Sequence, residues 1–315
     1  MDDLETLQLA ANPADLARAV KILRADGLVA FPTETVYGLG GNACSGRAVT
    51  KIYTAKGRPS FNPLIVHVPD VKVAKRYVIW SELAEQLSMV FWPGPLTLVL
   101  PLRSDHGISS LVTAGLDTLA IRIPLHPAAQ ALLHAFDGPL AAPSANVSGR
   151  ISPTTTAHVL AGLEGQIAAI LDDGPCAVGL ESTIVGLSGF PTLLRPGGLA
   201  TDRIETELGY ALRRTDNNAP LSAPGQLLSH YAPAATVRLN ADIARDGEVL
   251  LGFGPMICDL NLSPSGDLTQ AAANLFDYLH QLDATGKPIA VASVPNTGLG
   301  VAINDRIRRA AAPRD

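Results

Sequence analysis

The chain has 315 residues, of which 47% are hydrophobic and only 17% are charged. This composition excludes intrinsic disorder for most of the chain, and no apolar run reaches the roughly 18 residues that a membrane-spanning helix needs. The 24 basic and 29 acidic residues give a net charge of −5, so no overall positive field attracts nucleic acid. The first residues are acidic, whereas a secretory signal would begin with basic ones. We therefore expect a cytoplasmic protein of about two domains with no membrane segment.

Helices and strands are predicted to alternate through the first two hundred residues. The first helix, over 12–27, has Asn12 as its cap and Pro13 at its first position, and it ends at Gly27. Further helices are predicted from Ser45 and over 81–91, 127–136 and 201–214. Strands are predicted over 28–31, 64–68, 96–100, 120–123, 167–171 and 183–185. This alternation is typical of an α/β fold.

A polar stretch with several prolines and glycines begins at residue 215, and we interpret it as a linker. Beyond it, strands over 249–252 and 289–291 and helices over 268–282 and 302–311 predict a second, smaller α/β unit. The predicted division is a first domain of residues 1–214, a linker of residues 215–238 and a C-terminal domain of residues 239–315.

Three familiar kinds of site find little support in the sequence. The cysteines Cys44, Cys176 and Cys258 are too few and too scattered for disulfides or a Cys-x-x-Cys metal site, and we expect each to be a small buried residue. No Walker A loop, no G-x-S-x-G elbow and no cluster with metal-ligand spacing occurs. The 28 glycines and 24 prolines instead predict many sharp turns, where functional residues concentrate.

Residues 38–43 (GLGGNA) match the G-x-G-x-x-[GA] pattern of dinucleotide-binding turns. The acidic residue that would bind the ribose about 20 residues further on is missing, since residues 55–68 contain no Asp or Glu. An ordinary glycine-rich turn is the favoured interpretation, and a dinucleotide-linked oxidoreductase is an alternative.

Two loops carry groups suited to anions. Lys56 and Arg58 precede a proline-bounded turn into a strand, where they can clamp a phosphate or carboxylate; the alternative is a solvated helix end. Ser144 and Asn146 can donate hydrogen bonds to phosphate oxygens without adding negative charge; the alternative is a turn that bonds its own backbone.

Two polar residues lie inside apolar strands. Arg122 requires either a buried anion or a structural Asp or Glu partner. His67 in such a position is more often a satisfied core histidine than a catalytic one.

Taken together, six segments in order resemble the L-threonylcarbamoyladenylate synthase family, with its YrdC-like catalytic domain. They are 31–39 (FPTETVYGL), 56–59 (KGRP), 62–64 (NPL), 143–146 (PSAN), 181–183 (EST) and 195–197 (RPG). Residues 230–233 (HYAP) and 298–306 (GLGVAINDR) look like the two-domain form of that family. The resemblance implies a YrdC-like twisted mixed sheet with flanking helices, followed by a small Rossmann-like C-terminal α/β domain.

The resemblance also implies an activity and its substrates. L-threonine, bicarbonate or CO2, and ATP with Mg2+ would yield threonylcarbamoyl-AMP and pyrophosphate, for a tRNA modification that other proteins complete. No metal site built from protein ligands is expected. The threonine site would comprise Thr35, His67, Arg122, Ala142 and Ser182. The ATP site would comprise Arg58, Asn62, Thr118, Ser144, Asn146, Ser152, Arg195 and Tyr231, with Lys56 and Arg58 as the catalytic cations.

This chemistry agrees with the missing triad and the missing Walker loop. A threonine carbamate can attack the α-phosphorus without a protein nucleophile, provided that the reactants are positioned and cations face the triphosphate. Because a carbamate loses CO2 in water, the linker with Tyr231 is a candidate lid. Leu228 and Ser229 stand where family members often have aromatic and basic residues, which argues against a linker cation on the phosphates. An RNA-binding module is the rival function, although the acidic balance argues against strong direct nucleic-acid binding.

Overall fold

The computed structural model describes residues 5–214 and 230–313. The larger sheet is mixed and has eleven described strands, in the order β1-β8-β2-β3-β7-β4-β6-β5-β9-β10-β11. The strands are β1 (Leu7–Ala10), β2 (Val29–Phe31), β3 (Gly38–Asn42), β4 (Ile65–His67), β5 (Leu96–Pro101), β6 (Thr118–Arg122), β7 (Leu140–Ala141), β8 (Ala169–Asp172), β9 (Thr183–Gly186), β10 (Thr192–Arg195) and β11 (Arg213–Arg214).

Eight helices in the described part of this first unit accompany the sheet. They are α1 (Pro13–Arg24), α2 (Gly46–Lys56), α3 (Val71–Ala74), α4 (Glu82–Phe91), α5 (Ser110–Thr113), α6 (Pro127–Phe136), α7 (Thr156–Leu163) and α8 (Thr201–Leu208). The predicted caps are confirmed, because Asn12 accepts a hydrogen bond from the Asp15 amide and Ser45 from the Ala48 amide.

The second unit has a parallel four-stranded sheet in the order β12-β15-β13-β14. Its elements are β12 (Val237–Arg238), β13 (Val249–Gly252), β14 (Leu260–Asn261), α9 (Leu268–Asp283), β15 (Ile289–Val291) and α10 (Gly300–Ala310). The predicted mixed sheet with flanking helices and smaller α/β unit are confirmed. Within the predicted linker, residues 215–229 lie outside the described part of the chain, and Val237–Arg238 pair with β15.

Two local predictions are wrong. The helix predicted over 201–214 ends at Leu208, because Gly209 adopts a left-handed conformation (φ 75°) and its amide bonds back to the Glu205 carbonyl. Arg213–Arg214 then form β11 beside β10. The prediction that every cysteine is buried also fails, because Cys44 is exposed and Cys258 is only partly buried.

The glycine-rich segment is a strand, not a turn. Gly38–Asn42 form β3, antiparallel to both β2 and β7. A Cβ atom on Gly40 would lie 2.9 Å from a ring carbon of Phe31 and 3.1 Å from the Val29 carbonyl oxygen. The glycines therefore permit close strand packing. The dinucleotide interpretation is wrong, because no phosphate-binding turn exists there.

The two units share one apolar cluster. Ile151 and Leu180 of the first unit pack in it with Tyr231 and with Leu275 and Phe276 of α9. Loops of the first unit thus pack against α9 of the second unit. Among the described helices, none combines the length and the apolar character required to cross a bilayer.

Candidate active site

A cavity lies where the ends of β4, β6 and β10 meet the start of β9. All five residues predicted to bind threonine line it: Thr35, His67, Arg122, Ala142 and Ser182. Four of the residues predicted to bind ATP also line it: Arg58, Ser144, Arg195 and Tyr231. Residues that lie up to 196 positions apart in the chain are thereby brought to one place, as the resemblance implies.

Arg122 has a structural acid as its partner. Its Nη2 lies 2.7 Å from Oε1 of Glu34, and both side chains are buried. Its Nη1 donates to the Thr35 hydroxyl at 2.9 Å and its Nε to the Gly94 carbonyl at 3.1 Å. Neither Glu34 oxygen, nor Nη2, takes part in an aligned hydrogen bond. The guanidinium therefore lines the cavity with hydrogen-bonding capacity left for an anion.

His67 is buried but not satisfied. Its Nδ1 has no hydrogen-bond partner among the described residues, and its ring meets the edge of Phe31 at 6.1 Å between centroids. Burial, and after it the charge of Arg122, holds the pKa of His67 well below its ordinary value. A neutral imidazole at the cavity wall is thus free to hydrogen-bond a polar ligand.

Two further guanidiniums face the same space. Arg58 donates from Nη2 to the Pro63 carbonyl at 3.0 Å, and burial lowers its pKa to about 10. Arg195 donates from Nη2 to the Ser182 carbonyl at 2.9 Å, and burial lowers its pKa as well. The charges of Arg58 and Arg195 oppose each other, since Arg195 also contributes to lowering the pKa of Arg58. An anionic ligand is therefore favoured beside them.

The Lys56 ammonium is bound entirely by the neighbouring loop, which contains Ser144 and Asn146. Its ammonium, 1% exposed, donates to the carbonyls of Ser144 at 2.6 Å and of Asn146 at 2.5 Å, and lies 3.3 Å from the Asn146 side-chain oxygen. These three acceptors match the three N–H groups of the ammonium. The solvated helix end that was the alternative interpretation is wrong, and in this structure the charge holds the loop.

The other predicted ATP residues lie outside the described lining of the cavity. Both side-chain polar atoms of Asn62 are buried without a partner. Asn146 uses its amide within its own loop, donating to the Val147 and Arg150 carbonyls. Ser152 donates to Glu181. Thr118 begins the strand that Arg122 ends.

Two matches to family models cover most of the chain. Residues 21–197 match the Sua5/YciO/YrdC family, described as telomere recombination, and residues 199–312 match the C-terminal domain of threonylcarbamoyl-AMP synthase. The threonylcarbamoyl-AMP synthase of Bacillus subtilis is 41% identical, over 98% of this chain and 96% of its own. The chain belongs to the threonylcarbamoyl-AMP synthase family. The enzyme of that name from Pyrococcus abyssi is 38% identical over 94% of each chain.

Solved structures of the family agree with the fold. P. abyssi Sua5 complexed with L-threonine superimposes with a TM-score of 0.89 at 37% identity, covering 97% of each chain. Escherichia coli YciO has a TM-score of 0.56 at 23% identity over 61% of this chain and 95% of its own, which shows the shared fold. Membership of a synthase family favours the enzyme over the RNA-binding module, and the predicted family is confirmed.

Three buried residues of this synthase-family chain were not predicted as site residues. Glu34 pairs with Arg122, and Glu181 accepts hydrogen bonds from Ser152 and from Arg306. All three lie within segments that carry the family resemblance, so the motifs could have indicated them. Their pairing is visible only in the three-dimensional structure. In the described part of the chain, no group of three or more His, Cys, Asp or Glu side chains could hold a metal ion.

Proposed function

We propose that this protein condenses L-threonine, bicarbonate or CO2, and ATP to threonylcarbamoyl-AMP and pyrophosphate, for threonylcarbamoyl modification of tRNA. The observation that carries the proposal is the convergence of Arg58, Arg122 and Arg195 on one cavity. A carboxylate and a triphosphate are the two anions that this reaction must hold together. The activity of the named relatives supports the same conclusion.

We place threonine at the Arg122 end of the cavity. Arg122 would bind the carboxylate, since guanidinium is the group best matched to it. The hydroxyls of Thr35 and Ser182 and the unpartnered Nδ1 of His67 offer neutral hydrogen bonds to the rest of the amino acid. P. abyssi Sua5, whose structure was solved with L-threonine, supports threonine as the substrate.

The nucleotide would extend from the arginines along the face of the sheet. Thr118 and Arg122 lie on the same face of β6, about 13 Å apart at roughly 3.3 Å per residue. Ile65, Val99 and Ala120 are cross-strand neighbours on that face, an apolar surface suited to a base. A second cavity is lined by residues that include Thr118 and Val99. This arrangement supports the predicted ATP role of Thr118.

The chemistry then requires positioning and charge stabilisation. The threonine amine adds to CO2 with loss of a proton, or to bicarbonate with loss of water, to give a carbamate. A carbamate oxygen then forms a bond to the α-phosphorus as the bond to pyrophosphate breaks. Arg58 and Arg195 would stabilise charge on the triphosphate. Mg2+ would arrive with ATP, bound by phosphate oxygens and water.

The product is an activated carbamoyl group, and separate transfer proteins would pass it to tRNA in the cytoplasm. Tyr231 forms one buried wall of the cavity, which limits the access of water to the carbamate. The predicted lid of residues 215–238 stays a prediction, because most of it lies outside the described residues.

The test is product identification combined with a binding control. The full chain with L-threonine, bicarbonate, ATP and Mg2+ should give a species with the mass of threonylcarbamoyl-AMP, and no such species without threonine. In calorimetric titrations, Arg122→Met should abolish threonine binding, whereas Arg76→Met, at an exposed arginine, should not. Absence of the adenylate from the wild type would refute the function, and unchanged threonine binding by Arg122→Met would refute the assignment of the carboxylate.

A further inference from the structure

A single arginine from the second unit is buried at the edge of the cavity. Arg306, in α10, is fully buried, and its Nε donates to Oε2 of Glu181 at 2.8 Å. Its Nη1 donates to Asp305 at 2.7 Å, and its guanidinium carbon lies 4.9 Å from the centroid of the Tyr231 ring. Burying a charge is costly unless partners surround it. Glu181, Asp305 and the Tyr231 ring are the partners that compensate this cost for Arg306.

Glu181, the first partner, lies next to a predicted threonine-binding residue. It directly precedes Ser182, whose hydroxyl shares a hydrogen bond of 2.7 Å with Thr97. The backbone there has little freedom, because a Cβ atom on Gly197 would lie 2.2 Å from the Glu181 carbonyl oxygen. Glu181 itself lines the cavity. A shift of its carboxylate would therefore be passed to the wall that holds Ser182.

Tyr231, the second partner, is held on more than one side. Its ring stacks on Phe276 of α9 at 5.6 Å between centroids, and its backbone has a left-handed conformation with φ 62°. Such a conformation is uncommon for tyrosine and persists only where the surroundings enforce it. The guanidinium beside the ring contributes a cation–π contact to that enforcement.

We infer that Arg306 is a positioning residue for the reaction, which fixes Glu181 together with Ser182, and Tyr231, on two sides of the cavity. This inference rests on the proposed function. It assigns the second unit a part in building the active site and gives a role to the 298–306 segment. Arg306 acts through Glu181 and Tyr231, and it does not itself line the cavity.

The electrostatics give a signature that a purely structural role would lack. Burial by itself raises the pKa of Glu181, but the charges of Arg306 and Arg195 bring that pKa below its ordinary value. Without Arg306, the burial penalty is less compensated and Glu181 takes up a proton at higher pH. The acidic limb of the pH profile of kcat/KM should then move to higher pH.

The experiment compares pyrophosphate release by Arg306→Met with that by Arg308→Met, which removes an exposed charge from the same helix. Arg306→Met should lower kcat/KM about 100-fold, the loss that a small misplacement of reacting groups can cause, and should shift the acidic limb upward. Arg306→Lys should restore the position of the acidic limb and part of the rate. Arg308→Met should match the wild type.

Double variants keep the inference testable if Arg306→Met does not fold. The Glu181→Gln/Arg306→Lys chain forms a cycle with the single variants Glu181→Gln and Arg306→Lys, which keep the volume of the ion pair. Because the two residues act as one unit, its loss of kcat/KM should be smaller than the product of the losses caused by those two single variants. Multiplicative losses, or a wild-type rate and pH profile in Arg306→Met, would overturn the inference. A wild type without threonine-dependent pyrophosphate release would instead refute the proposed function.

Discussion

Lys56→Met tests whether the buried ammonium holds the loop that contains Ser144 and Asn146. The ammonium donates to two main-chain carbonyls at 2.5 and 2.6 Å and is almost fully buried. Methionine has a similar length and fills similar space, but it donates no hydrogen bond. The substitution therefore removes the donor and leaves both carbonyls without it.

The magnitude follows from those two acceptors. The Asn146 carbonyl is left unpaired, which costs about 1–3 kcal/mol. The Ser144 carbonyl keeps the Asn146 amide as a donor at 3.0 Å, so losing its second hydrogen bond costs about 0.5–1.5 kcal/mol, and the two losses together cost about 1.5–4.5 kcal/mol. Burial of the charge opposes this stabilisation, since burial, and after it the nearby Arg58, lowers the pKa of Lys56. We therefore expect the lower half of that range, about 1.5–3 kcal/mol of the free energy of unfolding, together with a large loss of adenylate formation as the loop shifts.

Urea unfolding followed by tryptophan fluorescence measures the first quantity, and pyrophosphate release measures the second. Lys51→Met is the matched control, because Lys51 lies on the same helix, is exposed, and donates to a single carbonyl, that of Asp26. It should change the free energy of unfolding by less than about 1 kcal/mol. Wild-type stability in Lys56→Met, with only the KM for ATP raised, would show that the ammonium faces the triphosphate and that our reasoning is wrong.

Three other substitutions test separate parts of the structure. Arg58→Ala should lower adenylate formation by about 10²–10³-fold, as the loss of one charge-stabilising donor does, with an unchanged circular dichroism spectrum; wild-type turnover would contradict it. Gly40→Ala should lower the free energy of unfolding in urea by about 1–3 kcal/mol through overpacking, and an unchanged midpoint would argue against the close strand packing. Burial, and after it the ring of His280 stacked at 3.9 Å, lowers the pKa of His158 from 6.5 to about 4. The folded protein therefore resists protonation of His158, so this residue's contribution to stability is complete above pH 6.5 and is lost as the pH falls toward 4. The urea concentration at the unfolding midpoint should decrease as the pH is lowered from 7 to 5, and it should decrease less in His158→Phe than in the control His134→Phe. Equal decreases in the two variants would contradict this.

Local signals made much of the fold predictable. The start of α1 was recognisable from Asn12 and Pro13, and α6 from the proline at its first position, because caps and prolines act through neighbouring residues. The strand β3 was missed, since its glycines carry no side chains to form an apolar pattern and its pairing comes from β2 and β7. The end of α8 was misplaced because Gly209 was not recognised as a helix terminator.

In the candidate site too, local sequence signals predicted some features, and contacts between distant segments determine the others. Ordered motifs predicted which residues would line the cavity, and five threonine-site residues and four ATP-site residues do so. Contacts between distant segments could not be predicted. The pairing of Arg122 with Glu34 and that of Arg306 with Glu181 cross 88 and 125 positions of sequence, and no spacing rule connects such residues.

The most direct test of the central claim is the rate of pyrophosphate release from ATP with L-threonine, with L-serine, or with no amino acid, in bicarbonate buffer with Mg2+. We expect rapid release with threonine, slower release with serine, which lacks the methyl group, and little release without an amino acid. Release at the same rate in all three mixtures would contradict the claim that this cavity joins threonine to ATP.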